Sequence, residues 1–359
     1  MSEKLLTRAA LAAVVTLVMA SCAGKDAKII SECEPGGEEN LAEQADGPDA
    51  KVRKKLAELP DDFTFAIVSD VHLQTDPEHA WNQKFKLSIE KINEINPDFV
   101  VLLGDLTDEG HKGNEVARAQ YLDFSLLAAD LKPVLVPVVG NHDAGEVSTG
   151  PDDPSRPLFL EMEARLETFS GTYYSFDSGK WHFVVLDTGW DAAMSEEQLE
   201  WLEGDLARHS AVPTICFMHI NITPVGEQWL DEEKNTVFAR AADRERLLGI
   251  LKAGSVKWMF TGHTHPTWKR SQKQRIRVGD IRFVHVPALS RALVGGGHIG
   301  SGFLLVHVKG DQVTSTEFVS MEDLSGERLP EPAPETYQRF SAITTVEVPE
   351  GNPVLDLKP

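Results

Sequence analysis

Five short apolar runs in this chain each end in residues able to ligate a metal ion, and that recurrence constrains the fold more than any other feature. Phe65-Ala66-Ile67-Val68 leads to Asp70-Val71-His72, and Phe99 to Leu103 leads to Gly104-Asp105-Leu106-Thr107-Asp108. Val134 to Val139 leads to Gly140-Asn141-His142-Asp143, Thr214 to Met218 leads to His219, and Val256 to Phe260 leads to Gly262-His263-Thr264-His265. Runs of this length, rich in Val, Ile, Leu and Phe and bounded by polar residues, read as buried strands. Open α/β folds place their sites at the carboxyl ends of strands, so the five ends are expected to converge on one rim.

The segments between the runs supply the covering layers. The spacing of Phe85, Ile89 and Ile92 predicts a helix from about Trp81 to Ile95, stopped by Asn96-Pro97. A second helix, from about Asn114 to Asp130, returns the chain to Val134. This β-α-β-α-β order predicts parallel strands with helices over them. Residues from Ala144 to Ser170 hold several prolines and a short helical stretch, and are expected to overhang the site. Thr172 to Phe176 and Trp181 to Leu186 read as a hairpin turned by Asp177 to Lys180. Ser195-Glu196-Glu197-Gln198 has the pattern of a capping box, opening a helix with Leu199, Leu202 and Leu206 toward the core. A polar insertion follows His219, then a helix from Asp243 to Lys252 and strands over Ile281–Val286, Gly302–Lys309 and Gln312–Val319. Strands and helices in both halves predict an α/β fold of two sheets packed face to face between helices.

The N-terminus reads as a targeting segment. Lys4 and Arg8 precede the apolar stretch Ala9–Ala20, which is too short for an ordinary spanning helix, and Ala20-Ser21 precedes Cys22. This resembles a bacterial lipoprotein signal, which implies lipidation of Cys22 and an extracytoplasmic protein anchored to a bacterial membrane. Residues 1–22 are then the signal, and 23–58 an acidic flexible tether with few residues able to form a core. Lys51 to Leu59 is a short helical lead-in. Residues 59–321 form the folded domain, and 322–359 a Pro- and Glu-rich extension. Cys33 lies in the tether, and Cys216, inside a strand, reads as a small buried apolar residue. A net charge of −21 argues against a broad grip on extended nucleic acid or an anionic bilayer. Small anionic substrates stay open, because bound cations reverse the local field.

Asp70, His72, Asp105, Asn141, His219, His263 and His265 together offer carboxylate, imidazole and one amide oxygen. Imidazole with carboxylate suits Mn, Fe, Co or Zn better than Mg or Ca. The set is too large for one ion and suits two sharing a bridging carboxylate, the arrangement that clamps the oxygens of a displacement at phosphorus. Singly, each residue has a plainer reading: Asp70 and Asp105 as helix caps, His219 as a satisfied core histidine, Gly104, Gly140 and Gly262 as turn residues. His79, His111, His182, His209, His285, His298 and His307 lie outside any motif and read as structural or surface residues. Trp190, Trp229, Arg291 and His298 are rim positions where substrate contact competes with the same plain reading.

The ordered set D-x-H, G-D-x-x-D, G-N-H-D, H and G-H-x-H resembles the calcineurin-like metallophosphoesterase superfamily from about Phe63 to Val319. The resemblance implies a two-sheet β-sandwich flanked by helices with a dinuclear site at the strand ends. It implies one ion on Asp70, His72, Asp105 and His265, and another on Asp105, Asn141, His219 and His263, with Asp105 bridging. It further implies phosphate-ester hydrolysis by a hydroxide between the ions. His142 would stabilise charge and protonate the leaving oxygen, and Asp108 would orient His142 through its carboxylate. Asp108 stands where purple acid phosphatases carry Tyr, and Glu109-Gly110 where protein Ser/Thr phosphatases carry Arg-Gly. Tyr173-Tyr174-Ser175-Phe176 and Gln198-Leu199-Glu200-Trp201-Leu202 look like the bacterial branch containing cyclic-nucleotide phosphodiesterases. The expected partner is a small phosphate ester, diester or monoester. The other readings are a metal-dependent nuclease and a non-catalytic lipoprotein binding module on the same fold.

Overall fold

Alternation along the strands explains how two sheets and two helical layers share one chain. The computed structural model describes residues 48–145, 155–189, 192–222, 241–266, 268, 271, 276–290 and 301–321. The signal with Cys22, the tether up to residue 47, and the insertion after Ile222 lie outside them, as do the rim positions 190, 229, 291 and 298 and the extension after Met321. The order is α1 (Pro48–Ala57), β1 (Asp62–Val68), α2 (Ala80–Ile95), β2 (Phe99–Leu103), a 3-10 turn (Gly110–Lys112), α3 (Glu115–Ala128) and β3 (Val134–Val138). Then come α4 (Arg156–Arg165), β4 (Tyr174–Ser178), β5 (Trp181–Leu186), α5 (Glu196–Arg208), β6 (Thr214–Met218), α6 (Ala241–Ala253) and β7 (Val256–Thr261). The last strands are β8 (Ile276–Val278), β9 (Ile281–His285), β10 (Gly302–Lys309) and β11 (Gln312–Ser320).

One sheet runs β11-β10-β1-β2-β3, the other β4-β5-β6-β7-β9-β8. Strands β1, β2 and β3 are parallel to one another, as are β5, β6, β7 and β9, so their carboxyl ends lie on shared edges. Phe65, Ile67, Phe99 and Val101 meet Phe183, Phe217 and Phe260 in the core between the sheets. Their neighbours Ala66, Val68, Val100 and Leu102 face Phe85, Ile89, Tyr121 and Phe124 of α2 and α3. On the second sheet, Val184, Leu186, Cys216, Met218 and Met259 face Leu199, Leu202, Leu206, Leu247 and Leu251 of α5 and α6. Alternate residues of a strand serve opposite faces, so strands apolar throughout are buried on both. The layers are helix, sheet, sheet, helix.

Two details differ from the sequence reading. Helix α1 starts at Pro48, ahead of the helical lead-in expected from Lys51, and is docked rather than free: Val52 and Leu56 are buried in the inter-sheet core, and Arg53 donates to the Ser175 carbonyl and lies 5.1 Å from the Phe169 ring centre. Two apolar residues one helical turn apart are a weak local signal, and docking supplies the rest. The capping box is half formed. The Ser195 hydroxyl accepts from the Gln198 N–H, but the Gln198 side chain turns to the main chain of Asp187, bonding its N–H and C=O at 2.8 Å each.

Candidate metal centre

Every ligand-type motif residue named here lies just beyond a strand, and the connections bend sharply there. Asp70 and His72 follow β1, Asp105 follows β2, Asn141 and His142 follow β3, His219 follows β6, and His263 and His265 follow β7. Five of these have left-handed backbone: Asp70 (φ 54°), His72 (φ 48°), Asp105 (φ 50°), His263 (φ 67°) and His265 (φ 44°). That region is unfavourable for residues bearing a Cβ, and its concentration here marks a built site. Close approach also explains two glycines. A Cβ on Gly140 would fall 2.1 Å from the Asp105 nitrogen, and one on Gly104 within 2.6 Å of the His219 ring.

The side chains converge across the two sheets. Asp105 Oδ2 lies 3.0 Å from His219 Nε2 and 3.5 Å from His72 Nε2. The His72 and His265 Nε2 atoms are 3.1 Å apart, and His265 Nε2 is 3.0 Å from Asp70 Oδ1. His263 Nδ1 lies 2.8 Å from Asn141 Oδ1, and its N–H donates to Asp70. All seven proposed ligands are thus in one cluster, with Asp70 and His219 fully enclosed and Asp105 nearly so. The His219 Nδ1–H donates to the Leu103 carbonyl at 2.7 Å, which turns Nε2 inward.

Charge within the cluster is balanced by imidazole. Burial alone would raise the Asp70 carboxyl, but His265 and His219 outweigh it and hold it at about 2. Asp105 likewise resists burial through His219 and stays well below the usual carboxylate range. Burial acts to lower His219, yet Asp105 and Asp70 lift it to about 10. Burial, and then His219, push His263 down to about 4.

The role expected for the Asp108 carboxylate is corrected. The carbonyl oxygen of Asp108, not its carboxylate, receives the His142 Nδ1–H at 2.7 Å. The carboxylate sits 3.3 Å from His72 Nδ1, and that imidazole, against burial, lowers its pKa. The Asp108 N–H reaches the Leu73 carbonyl at 3.3 Å, and a bridge joins Leu73 to Thr107, so Asp108 is drawn toward the Asp70–Leu73 turn.

Two further residues shape the site. Asp143 is buried and accepts from the N–H groups of Gly140 (2.9 Å), Leu106 (2.9 Å) and Thr107 (3.1 Å), tying the turns after β2 and β3 together. Its motif is visible in the sequence, but its main-chain partners are not. Burial and nearby Asp105 raise its carboxyl to about 6 against those donors. His111, outside every motif, stands edge-on to His142 with ring centres 5.3 Å apart, and its N–H donates to the His142 carbonyl at 2.7 Å. Only the fold brings it there.

The donor set fits a pair of transition-metal ions. Imidazole nitrogens 3.1 Å apart share either a proton or a cation, and metal–nitrogen bonds of about 2.0–2.1 Å space ligand atoms about 3 Å apart. His219 Nε2 is buried without an aligned hydrogen bond, 3.0 Å from Asp105 Oδ2, and faces the centre, where an ion would take the place of its proton. Asp70, His72, Asp105 and His265 form a group with ligand atoms within 4.8 Å of one another, and so do Asp105, His219 and His263. Asp105 belongs to both.

Residues 63–267 match the calcineurin-like phosphoesterase family. A probable cyclic nucleotide phosphodiesterase of Moraxella catarrhalis (strain BBH18) is 28% identical over 226 residues, 59% of this chain and 78% of the relative. The 3',5'-cyclic adenosine monophosphate phosphodiesterase of Escherichia coli (strain K12) is 23% identical over 222 residues, 60% of this chain and 70% of the relative. A probable cyclic nucleotide phosphodiesterase of Rhodococcus erythropolis is 26% identical over 173 residues, and this chain spans about half of its length (52%). A purple acid phosphatase from yellow lupin seeds shares the fold at 17% identity and a TM-score of 0.53, over 74% of this chain and 53% of the other. The family match runs from β1 past His265 and takes in more than half of the sequence together with every proposed ligand, so the chain belongs to the calcineurin-like phosphoesterase family.

Proposed function

We propose that this protein hydrolyses small phosphodiesters with two transition-metal ions, one held by Asp70, His72, Asp105 and His265, the other by Asp105, Asn141, His219 and His263. The observation that carries this reading is the place of Asp105 Oδ2, 3.0 Å from His219 and 3.5 Å from His72, where one carboxylate serves both groups. When bound, the ions supply Lewis acidity toward the phosphoryl oxygens and make water a nucleophile near neutral pH. The protein supplies positioning. His219 is held by Leu103, and the main chain of His142 by Asp105 Oδ1 at 2.7 Å.

His142 is the general acid. The Asp108 carbonyl keeps Nδ1–H engaged, so only Nε2 exchanges a proton, given to the leaving ester oxygen as its bond to phosphorus breaks. No side chain is assigned as a covalent nucleophile. The diester preference rests on the relatives named as cyclic nucleotide phosphodiesterases. We also propose an extracytoplasmic location with a lipid anchor at Cys22, on the signal pattern alone.

The test compares bis-p-nitrophenyl phosphate, p-nitrophenyl phosphate and cyclic AMP, using metal-free protein and protein reloaded with Mn, Zn, Fe or Co. Metal-restored hydrolysis of both diesters is the expected result, with cleavage of cyclic AMP, whose leaving group needs the proton, lost in His142→Ala and cleavage of the p-nitrophenyl diester reduced less. Preference for the monoester would move the activity to a phosphatase. A chain that binds two ions yet cleaves none of the three would overturn the catalytic reading in favour of a binding module.

A further inference from the structure

A second cluster of metal-ligand side chains lies at the other end of the six-stranded sheet. His182 is at the start of β5, paired with Thr214 at the start of β6, whereas His219 follows the end of β6. Five residues of strand separate His182 from the carboxyl rim, about 16 Å at roughly 3.3 Å per residue. The cluster is therefore separate from the centre described above.

His182, 1% exposed at its side chain, places Nε2 2.8 Å from Asp205 Oδ2 and Nδ1 2.7 Å from Asp177 Oδ1. His209, the carboxyl-terminal cap of α5, stacks on His182 with ring centres 3.7 Å apart, and its Nδ1–H donates to the Asp205 carbonyl at 2.8 Å. Asp205 thus engages one nitrogen of each ring, by carboxylate for His182 and by carbonyl for His209. It is itself held by Arg208 at 3.0 Å. Metal-ligating histidines are commonly fixed this way, one nitrogen on a carboxylate or carbonyl and the other toward the ion. Asp177, His182 and His209 form a group in which one ligand atom of each lies within 4.8 Å of the others. By this pattern an ion would take His182 Nδ1, which now faces Asp177, and His209 Nε2.

We propose that Asp177, His182 and His209 form a separate site for a divalent transition-metal cation, with Asp205 orienting both imidazoles. Two imidazoles and a carboxylate suit zinc, copper, nickel or ferrous iron. Asp177 opens outward from its bond to His182, because tetrahedral ligands on bonds of about 2.0–2.1 Å stand about 3.3 Å apart. The His209 and His182 rings lie within 10° of parallel, so binding requires the partly exposed His209 to rotate off the stack and turn Nε2 to the ion. The competing occupant is a proton, giving an imidazolium between two carboxylates. The ion must displace it, so binding releases a proton.

The test titrates zinc into the metal-free full-length protein at pH 8 and counts bound metal after gel filtration. The full-length protein is compared with His209→Ala and Asp177→Asn, both altered at solvent-facing positions, and with Asp105→Asn in the main centre. The expected result is one equivalent of zinc more in the unaltered protein than in His209→Ala or Asp177→Asn. Those two variants keep the ester hydrolysis of the parent, and Asp105→Asn keeps the extra equivalent. Calorimetry in buffers of different ionisation enthalpy should show proton release with that equivalent. Equal zinc in the unaltered protein and His209→Ala would overturn the site and leave the proposed reaction untouched.

Discussion

Oδ2 of Asp105 lies 3.0 Å from Nε2 of His219, and almost no solvent reaches either side chain. Asp105 follows β2 in one sheet and His219 follows β6 in the other, so this contact joins the two sheets at the rim. Asp105→Asn keeps the shape and removes the charge that both metal groups share. The variant is expected to fold, to lose tight binding of both ions, and to lose activity by more than the roughly 100-fold typical of a partner one shell further out. Metal content, circular dichroism and kcat/KM together check this.

His142→Ala separates binding from proton transfer. Metal content should stay at the parent level, because His142 belongs to neither proposed ligand set. The rate should fall by about 10²–10⁴-fold on diesters with poor leaving groups, which need the proton, and by less on p-nitrophenyl esters, which do not. An equal loss on both kinds of ester would remove His142 from the acid role.

Gly140→Ala tests the close approach of the turns after β2 and β3. The added methyl would lie 2.1 Å from the Asp105 nitrogen and 2.4 Å from its Oδ1, so the turns must part. The expected outcome is a loss of about 1–3 kcal/mol, read as a lower Tm, with weakened metal affinity because Asp105 moves. An unchanged melting curve and full metal content would contradict this packing.

Glu163 supplies the pH test away from the centre. It is buried on α4 with one carboxylate oxygen accepting from the Gly171 N–H at 3.1 Å, and burial raises its pKa to about 9. A carboxyl whose folded pKa exceeds its unfolded value favours the fold while protonated. That stability is complete below about 4.5 and is lost as pH climbs from there to about 9. Glu163→Gln keeps the acceptor and removes the ionisation, so it should stabilise the protein on the order of 1–3 kcal/mol at pH 7 and hardly at all at pH 4.5. Thermal melts at both values decide it.

Much of this architecture is legible in the order of residues alone. Phe65 to Val68 and Phe99 to Leu103 read as strands because an apolar run of that length bounded by polar residues has few other solutions. The helix over Phe85, Ile89 and Ile92 declares itself by its period, and Asn114 by its capping, accepting from Val116 and Ala117 N–H at 3.0 Å each. Lys51 to Leu59 reads as a helical lead-in, but its docking is not legible, because Val52 and Leu56 make an apolar stripe only when the sheets are there to cover it.

By itself the sequence determined the strands, the helices and the ligand-type residues at the strand ends, since each is a property of neighbours along the chain. The tertiary structure decided how those residues are used. It set the left-handed turns at Asp70, His72, Asp105, His263 and His265, and the division of Asp108 between His142 and His72. It also set the bracing of two turns by Asp143, the place of His111 beside His142, and the pairing of His182 with His209. These depend on contacts between positions far apart in sequence, 37 residues for Asp143 and Leu106 and 116 for His219 and Leu103. Local pattern cannot encode such distances, because packing two sheets face to face is what brings the ends of β2 and β6 together.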